Sequence, residues 1–464
     1  MYSLAEILES RNMAVIGASR DPSKPGAMLL RLLQDTGFQG QIAGVNPEGG
    51  ALDGIQLYRA LDEIPFPVDL AVLLIPPQVV PQALADCAQS GVKGVVISSE
   101  GFAETGFQGK QYQEEIRAIL RSTGMRGFGP NTLGIVNTAT GLTTSYFANE
   151  PMLRPGSIGI VAQSGIFVGS LLRYIASFEG LGISKGLGLG NKVDVDESEA
   201  LSYLTEDEQT RMIGLYLEDI RDGQKFLEVA RKAVKQKPVL LLKGGRTAAG
   251  AEAAATHTAS LAVNDTVLDG ALRQAGVLRV ENIAELVASL MGFECMPLPR
   301  GNQIAFVTYS GAQAIMSIDE AAAYGLGVAR FSEKTQERLS RVISTRSKAR
   351  NPVDLYPDML AHGFEKTTTE VLRALIDDDG VHGIVFISFA TDSADPYERL
   401  IDVVKERLTK PVFFSVLGEK EKVDACRALL EGHHIPAYLF PETAIKVFAH
   451  MHRYARKTRQ ASRS

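Results

Sequence analysis

Short apolar runs recur along the chain, each followed by a longer stretch with apolar positions at helical spacing. The runs are MAVIG (13–17), VDLAVLLIP (68–76), KGVVISS (93–99), SIGIVAQ (157–163), MIGLYLE (212–218), PVLLLKG (238–244), QIAFVTY (303–309), GIVFISF (383–389) and PVFFSVL (411–417). A strand solvated on one face alternates apolar and polar residues. These runs are nearly continuous instead, so they predict strands covered on both faces, with helices as the cover. That pattern means parallel sheets and an α/β class. Two segments punctuated by Pro and Gly, FANEPMLRPGS (147–157) and MPLPRGN (296–302), each precede a fresh strand and read as boundaries. They divide the chain into residues 1–150, 151–298 and 299–464.

The second and third divisions read as copies of one another. IGIVAQSG ends at Gly165 and IAFVTYSG at Gly311, 146 residues later. NKVD begins at Asn191 and NPVD at Asn351, 160 residues apart; KPVLLL begins at Lys237 and KPVFFS at Lys410, 173 apart. The next match, GVLRVEN (276–282) with IPAYLFPE (435–442), falls back to an offset near 160. About 13 residues are therefore extra in the first copy, and they fall in GRTAAGAEAAATHTASLAVND (245–265). This stretch has small side chains and no apolar stripe, so it reads as a mobile loop, with His257 in its middle. A segment present in only one of two related domains is not required to build the domain, which points to function.

Candidate chemistry lies at strand ends. In MAVIGASRDPSKPG (13–26) a strand turns at Gly17 into a helix, an arrangement whose backbone N–H groups suit a diphosphate, with Lys24 adding charge. The spacing is not G-x-G-x-x-G, which disfavours a nicotinamide cofactor. GVNPEG (44–49), LIPPQ (74–78), SSEGFAE (98–104) and GPNTLGIVN (129–137) are further loops at successive strand ends, where ligands of open α/β sheets bind. Ser164-Gly165 stands between a strand and a helix and offers an anion site. Glu218 ends the run MIGLYLE, and the matching position of the second copy is Phe389 or Ala390, so that copy lacks both this carboxylate and the histidine segment. A carboxylate beside an imidazole accepts one N–H, fixes the tautomer and leaves the other nitrogen to attack; it also favours the cationic ring. His257 and Glu218 together therefore suit a phosphoryl carrier.

Composition narrows the class further. A net charge of −6 gives no bulk affinity for nucleic acid or anionic membrane. Three scattered cysteines lack metal-ligand spacing and suit a reducing compartment, and no run approaches the ~20 apolar residues that span a bilayer. No secretory leader is visible in MYSLAEILES, so the expected location is the cytoplasm.

Over residues 1–455 the chain resembles the α subunit of ADP-forming acetyl-CoA synthetases, relatives of the succinyl-CoA synthetase α subunit. VIGASRDPSKPG, VNP, IPP, GPNTLGIVN, VAQSG, GLGLGNKVDVD (186–196), KPVLLLKGGRTAAG (237–250) and THTASLA (256–262) carry the resemblance. It implies a Rossmann-like CoA-binding domain followed by two flavodoxin-like domains. It implies the reaction acyl-CoA + ADP + phosphate ⇌ carboxylate + ATP + CoA, with acetate the default acid, through an acyl phosphate and a phosphohistidine at His257. It assigns the stabilising glutamate to Glu218 and the phosphate-holding helix start to Ser164 and Gly165. CoA contacts fall on Gly17, Ser19, Lys24, Pro25, Asn46, Pro76, Ser99 and Asn131. Thr256 and Ala259 depart from the family's S-H-T-G-S-L-A. No stretch reads as an ATP-grasp module, so a separate ATP-grasp β subunit is expected, in an α2β2 assembly that holds ADP/ATP and Mg²⁺. The alternative on the same scaffold is a non-catalytic CoA-binding regulator or acyltransferase accessory protein, which has no need of His257 or Glu218.

Overall fold

A computed structural model describes residues 1–145, 153–258, 264–344, 349–391 and 395–461, apart from the side chains of 166, 167, 254–258, 395 and 461. The contacts form two compact units: residues 1–177 with 181–281, and residues 178–180 with 282–464.

All nine apolar runs lie on strands. The first sheet has the order Gly50–Leu52, Ile55–Tyr58, Gln41–Val45, Asn12–Ile16, Leu70–Leu73, Gly94–Ile97, Arg126–Phe128. Only Gly50–Leu52 is antiparallel to its neighbour. Leu70–Leu73 and Gly94–Ile97 are buried along their whole length. Ala71, Leu73, Val95 and Ile97 pack with Val80, Leu84 and Cys87 of one helix and Ile116 and Leu120 of another. Two-sided burial is the physical reason these strands lack polar alternation.

The second sheet runs Leu278–Val280, Val239–Lys243, Met212–Leu217, Pro155–Ala162, Ile183–Gly188, and the antiparallel pair Ile135–Asn137 and Leu142–Thr143 extends it. The third, in the other unit, runs Ala437–Tyr438, Val412–Leu417, Gly383–Phe389, Gln303–Thr308, Gly327–Val328, with Val353–Asp354 also paired to Gln303–Thr308. Its five-strand order is that of the parallel part of the second sheet, so the repeat seen in the sequence is a repeat of topology.

Register removes the one-residue ambiguity between the copies. Ala162 pairs with Tyr216, and Thr308, 146 residues further on, pairs with Ile387. Tyr216 thus corresponds to Ile387 and Glu218 to Phe389. Leu217 pairs with Lys243 and Ser388 with Val416, so Lys243 corresponds to Val416.

The extra residues of the first copy are a helix. Between Val412–Leu417 and Ala437–Tyr438 there is one helix, Lys420–Gly432; between Val239–Lys243 and Leu278–Val280 there are two, Ala248–Thr258 and Asp265–Ala275. The expected loop is therefore helical over Ala248–Thr258. Alanine has the strongest intrinsic helix preference, so this segment needs no apolar stripe to form the helix. The Thr247 hydroxyl accepts from the Gly250 N–H at its start, 3.1 Å.

Candidate active site

Within the first sheet the chain reverses direction of travel at Asn12–Ile16, with Gln41–Val45 on one side and Leu70–Leu73 on the other. Such a switch point opens a crevice at the carboxyl ends of the strands. Gly17, Asn46, Pro76, Ser99 and Asn131 each lie one to three residues beyond a strand, all on that edge. Gly17 has φ +93°, and a Cβ on Gly26 would stand 2.4 Å from the Gly17 carbonyl oxygen. The helix Pro25–Asp35 is thereby pressed against the strand turn, with Pro25 at its first position and exposed Lys24 at its N-cap. The Asn46 side-chain amide donates to the Ala18 carbonyl at 2.6 Å, tying two of these loops together, and Arg20 pairs with Glu48 across them. The Ser19 hydroxyl accepts from the Asp21 N–H, 3.1 Å. The Ser99 hydroxyl bonds the Ile75 carbonyl and receives the Ile75 N–H at 3.3 Å, so it braces the Pro76 loop. This edge suits an anionic, diphosphate-bearing ligand.

In the second sheet the switch falls at Pro155–Ala162, between Ile183–Gly188 and Met212–Leu217. Ser164 is the N-cap of the helix Gly165–Ala176 and makes no side-chain capping bond, whereas Ser310 of the second copy caps its own helix at Gln313. A Cβ on Gly165 would lie 2.8 Å from the Leu133 nitrogen and 3.0 Å from the Thr132 Cα. The helix start is thus held against the loop that carries Asn131. Gly190 meets the same loop: a Cβ there would stand 2.2 Å from the Pro130 oxygen. The N–H groups of Asn191 and Val193 donate to the carbonyls of Pro130 and Gly129, both at 2.9 Å. GPNTLGIVN and GLGLGNKVDVD, separate in sequence, form one edge.

Glu218 is 9% exposed and follows directly on Leu217. Its N–H and that of Asp219 both donate to the Gln163 side-chain oxygen, at 2.8 and 3.0 Å. Its carbonyl receives the Lys243 ammonium at 2.6 Å, and its Oε1 receives the Tyr216 hydroxyl at 3.2 Å. Burial holds Lys243 below the usual lysine range, with Asp265 and Asp219 opposing. Burial, then the Glu218 charge, push the Tyr216 phenol up to about 12. Beneath Asp219 lies a buried ion cluster. The Lys192 ammonium, 2% exposed, bonds the Asp219 carboxylate, Glu197 Oε2 at 3.0 Å and Gln163 Oε1 at 3.4 Å. Glu197 is fully buried and also receives the Arg221 N–H at 2.7 Å.

Ser164-Gly165 and Glu218 therefore lie at the ends of two paired strands. His257 falls in the helix Ala248–Thr258, whose Cα atoms come within 8 Å of those of Ala103–Thr105, a turn next to the first sheet's ligand edge. The His257 side chain lies outside the described residues. Sequence reasoning missed Gln163, Lys192, Tyr216 and Lys243 as members of the site. For Gln163, Tyr216 and Lys243 the available signal was a position at or near the carboxyl end of an apolar run, and for Lys192 its place in GLGLGNKVDVD. A cavity of about 820 Å³, lined by Arg11, Gly40, Lys185 and Gln209 among others, opens toward the amino ends of the strands and contains none of these residues. Among the described residues no helix is long and apolar enough to cross a membrane.

Comparison with known proteins agrees with this geometry. A CoA binding domain model matches residues 11–138, and a succinyl-CoA ligase like flavodoxin domain model matches residues 155–293. The chain is 35% identical to the α subunit of acetate–CoA ligase (ADP-forming) II of Pyrococcus furiosus, covering 93% of each. It is 36% identical to acetate–CoA ligase (ADP-forming) II of Archaeoglobus fulgidus, covering 99% of this chain and 68% of that one. Acetyl-coenzyme A synthetase 1 of Ca. Korarchaeum cryptofilum, solved in complex with phosphate and ADP, superposes with a TM-score of 0.92 at 28% identity, covering 100% of this chain and 99% of that one. The chain belongs to the ADP-forming acetate–CoA ligase family.

Proposed function

We propose that this chain is the α subunit of an ADP-forming acyl-CoA synthetase, with acetate as the default acid. Residues 1–150 hold CoA, residues 151–298 carry the phosphoryl group, and residues 299–464 form a second flavodoxin-like domain. Inorganic phosphate attacks the thioester carbonyl, the C–S bond breaks and CoA leaves, giving an acyl phosphate. A His257 ring nitrogen then attacks phosphorus, the acyl P–O bond breaks and the carboxylate departs. An ADP oxygen finally takes the phosphoryl group, the P–N bond breaks and the ring returns to neutral. Glu218 accepts the other ring N–H and stabilises the positive ring while it carries phosphorus. Ser164 and the first amides of the helix at Gly165 receive the phosphoryl oxygens. An ATP-grasp β subunit in an α2β2 assembly supplies the nucleotide site and its Mg²⁺. What supports this division of labour is that two Pyrococcus furiosus relatives are α subunits of acetate–CoA ligases.

The observation that carries this reading is the helix Ala248–Thr258. It is extra to the first copy, bears His257, and approaches the CoA-side turn Ala103–Thr105. The test is incubation of the chain with acetyl-CoA and radiolabelled inorganic phosphate, followed by assay for acid-labile, base-stable label. Wild type is expected to take up label and His257→Asn to take up none. Equal label in His257→Asn overturns the assignment. Full ADP-dependent ATP formation by the chain alone overturns the need for a β subunit.

A further inference from the structure

Tyr216 and Glu218 stand two residues apart at the end of one strand, so their side chains leave the same face of the sheet. The phenol donates to Glu218 Oε1 at 3.2 Å. Opposite them, at the end of the neighbouring strand Val239–Lys243, is Gly244. Its N–H donates to the Leu217 carbonyl at 2.9 Å, which fixes its backbone beside the pair. A Cβ on Gly244 would stand 3.1 Å from the Tyr216 hydroxyl oxygen and 3.4 Å from the Glu218 Cγ. Gly244 has no positive φ that would explain a glycine there. A Cβ there would press on the Tyr216 hydroxyl, which would have to give by a few tenths of an ångström. In the second copy the corresponding residues are Ile387 and Phe389, so the pair is not part of what folds this topology.

We propose that Tyr216 is the positioning residue for the Glu218 carboxylate and that Gly244 keeps room for their contact; this rests on the reading of Glu218 as the partner of His257. The phenol occupies one carboxylate oxygen and turns the carboxylate into a fixed orientation. With its own ionisation pushed up to about 12, the hydroxyl remains a donor across the working range. Other charged groups near Glu218 whose bonds are described reach its backbone or pair with each other. Lys243 bonds the Glu218 carbonyl, and Asp219 and Lys192 are paired with each other. Asp265 and Arg279 act on Lys243 and pair together. Tyr216 is thus the side chain that bonds the carboxylate itself among these groups.

Tyr216→Phe in the full chain removes the hydroxyl and leaves the ring. Phosphoryl uptake is expected to fall on the order of tenfold, the scale of losing one hydrogen bond to a charged group. The loss should fall on the rate of uptake, with the acetyl-CoA concentration for half-maximal uptake unchanged, because the hydroxyl bonds the carboxylate and not the CoA edge. Gly244→Ala should act in the same direction, and the double variant should be little worse than Tyr216→Phe, since the contact with the added methyl is gone. A structural role alone lowers the melting temperature and leaves the rate of uptake per folded molecule in place. The ¹³C chemical shift of the Glu218 carboxylate at one fixed pH, assigned with Glu218→Gln, gives a readout independent of phosphorylation. A changed Glu218 carboxylate resonance in Tyr216→Phe supports the proposal, and an unchanged resonance overturns it. If wild type takes up no label while the NMR shift is found, the phosphohistidine reading falls and the positioning of Glu218 stands.

Discussion

Replacing Lys192 by Met is expected to destabilise the unit of residues 1–177 and 181–281 by about 3 kcal/mol, the low end for breaking a buried ion pair. The ammonium now serves Glu197 at 3.0 Å, the Asp219 carboxylate and carbonyl, and Gln163 at 3.4 Å. The Asp219 side chain is 21% exposed and can turn toward water. Glu197 is 0% exposed and cannot; among the described residues it keeps the Arg221 N–H, at 2.7 Å. That remaining bond to a charged acceptor is the reason to choose the low end. A unit of this size loses about 2 °C of Tm per kcal/mol, so the transition should fall by about 6 °C. The assay is thermal or urea unfolding of the single variant beside Lys192→Met/Glu197→Gln, in which no unpaired buried charge remains. The double variant should recover most of the loss, because the cost lies in the stranded carboxylate and not in the pair itself. A single variant within about 0.5 kcal/mol of wild type, or a double variant no better than the single, refutes the reasoning.

Two further substitutions separate packing from backbone preference and from charge. Gly165→Ala should destabilise by about 1–2 kcal/mol and reduce phosphoryl uptake, because its Cβ meets the Thr132–Leu133 backbone at 2.8–3.0 Å. Gly270→Ala, on an exposed helix with nothing within 4 Å of its Cβ, should stabilise by about 0.5–1 kcal/mol; equal effects at the two sites in a melting experiment would refute the clash argument. Burial acts to raise the Glu104 pKa, but the Phe102, Gly101 and Asn191 N–H groups bonded to it hold it below the usual carboxylate range. Its native value lies below its unfolded one, so its contribution is present above the unfolded pKa and is lost as pH falls through the native value. Glu104→Gln should therefore cost about 1 kcal/mol at pH 7, discounted for its half exposure, and nothing below both values; a cost independent of pH refutes the linkage.

The strands were legible because each is buried on both faces and therefore continuous in the sequence. The helix Ala248–Thr258 was not, because its signal is alanine preference and no apolar stripe marks it. Lys192 and Lys243 were hidden for a different reason. A lysine at a strand end ordinarily extends into water, and nothing near 192 or 243 in the sequence announces Asp219 or the Glu218 carbonyl as its partner. Those pairings arise only when four separate segments, ending at Gln163, Lys192, Glu218 and Lys243, are brought together on one sheet edge.

The second copy closes the same edge with different side chains. Gln163 corresponds to Tyr309, Tyr216 to Ile387, Glu218 to Phe389 and Lys243 to Val416, while strand order and register are unchanged. Tyr309 there stacks on Phe364 at 5.6 Å and meets Phe389 edge-on at 5.1 Å, so aromatic contact closes the strand ends that hydrogen bonds and ions close in the first copy. Buried ions rarely stabilise more than the apolar residues that could replace them. A fold that closes the same edge with aromatic side chains in one copy has no structural need for Lys192, Glu197 and Asp219 in the other. Their retention beside Glu218 is explained by what they hold in place: the turn that sets this carboxylate one strand away from the helix start at Ser164-Gly165.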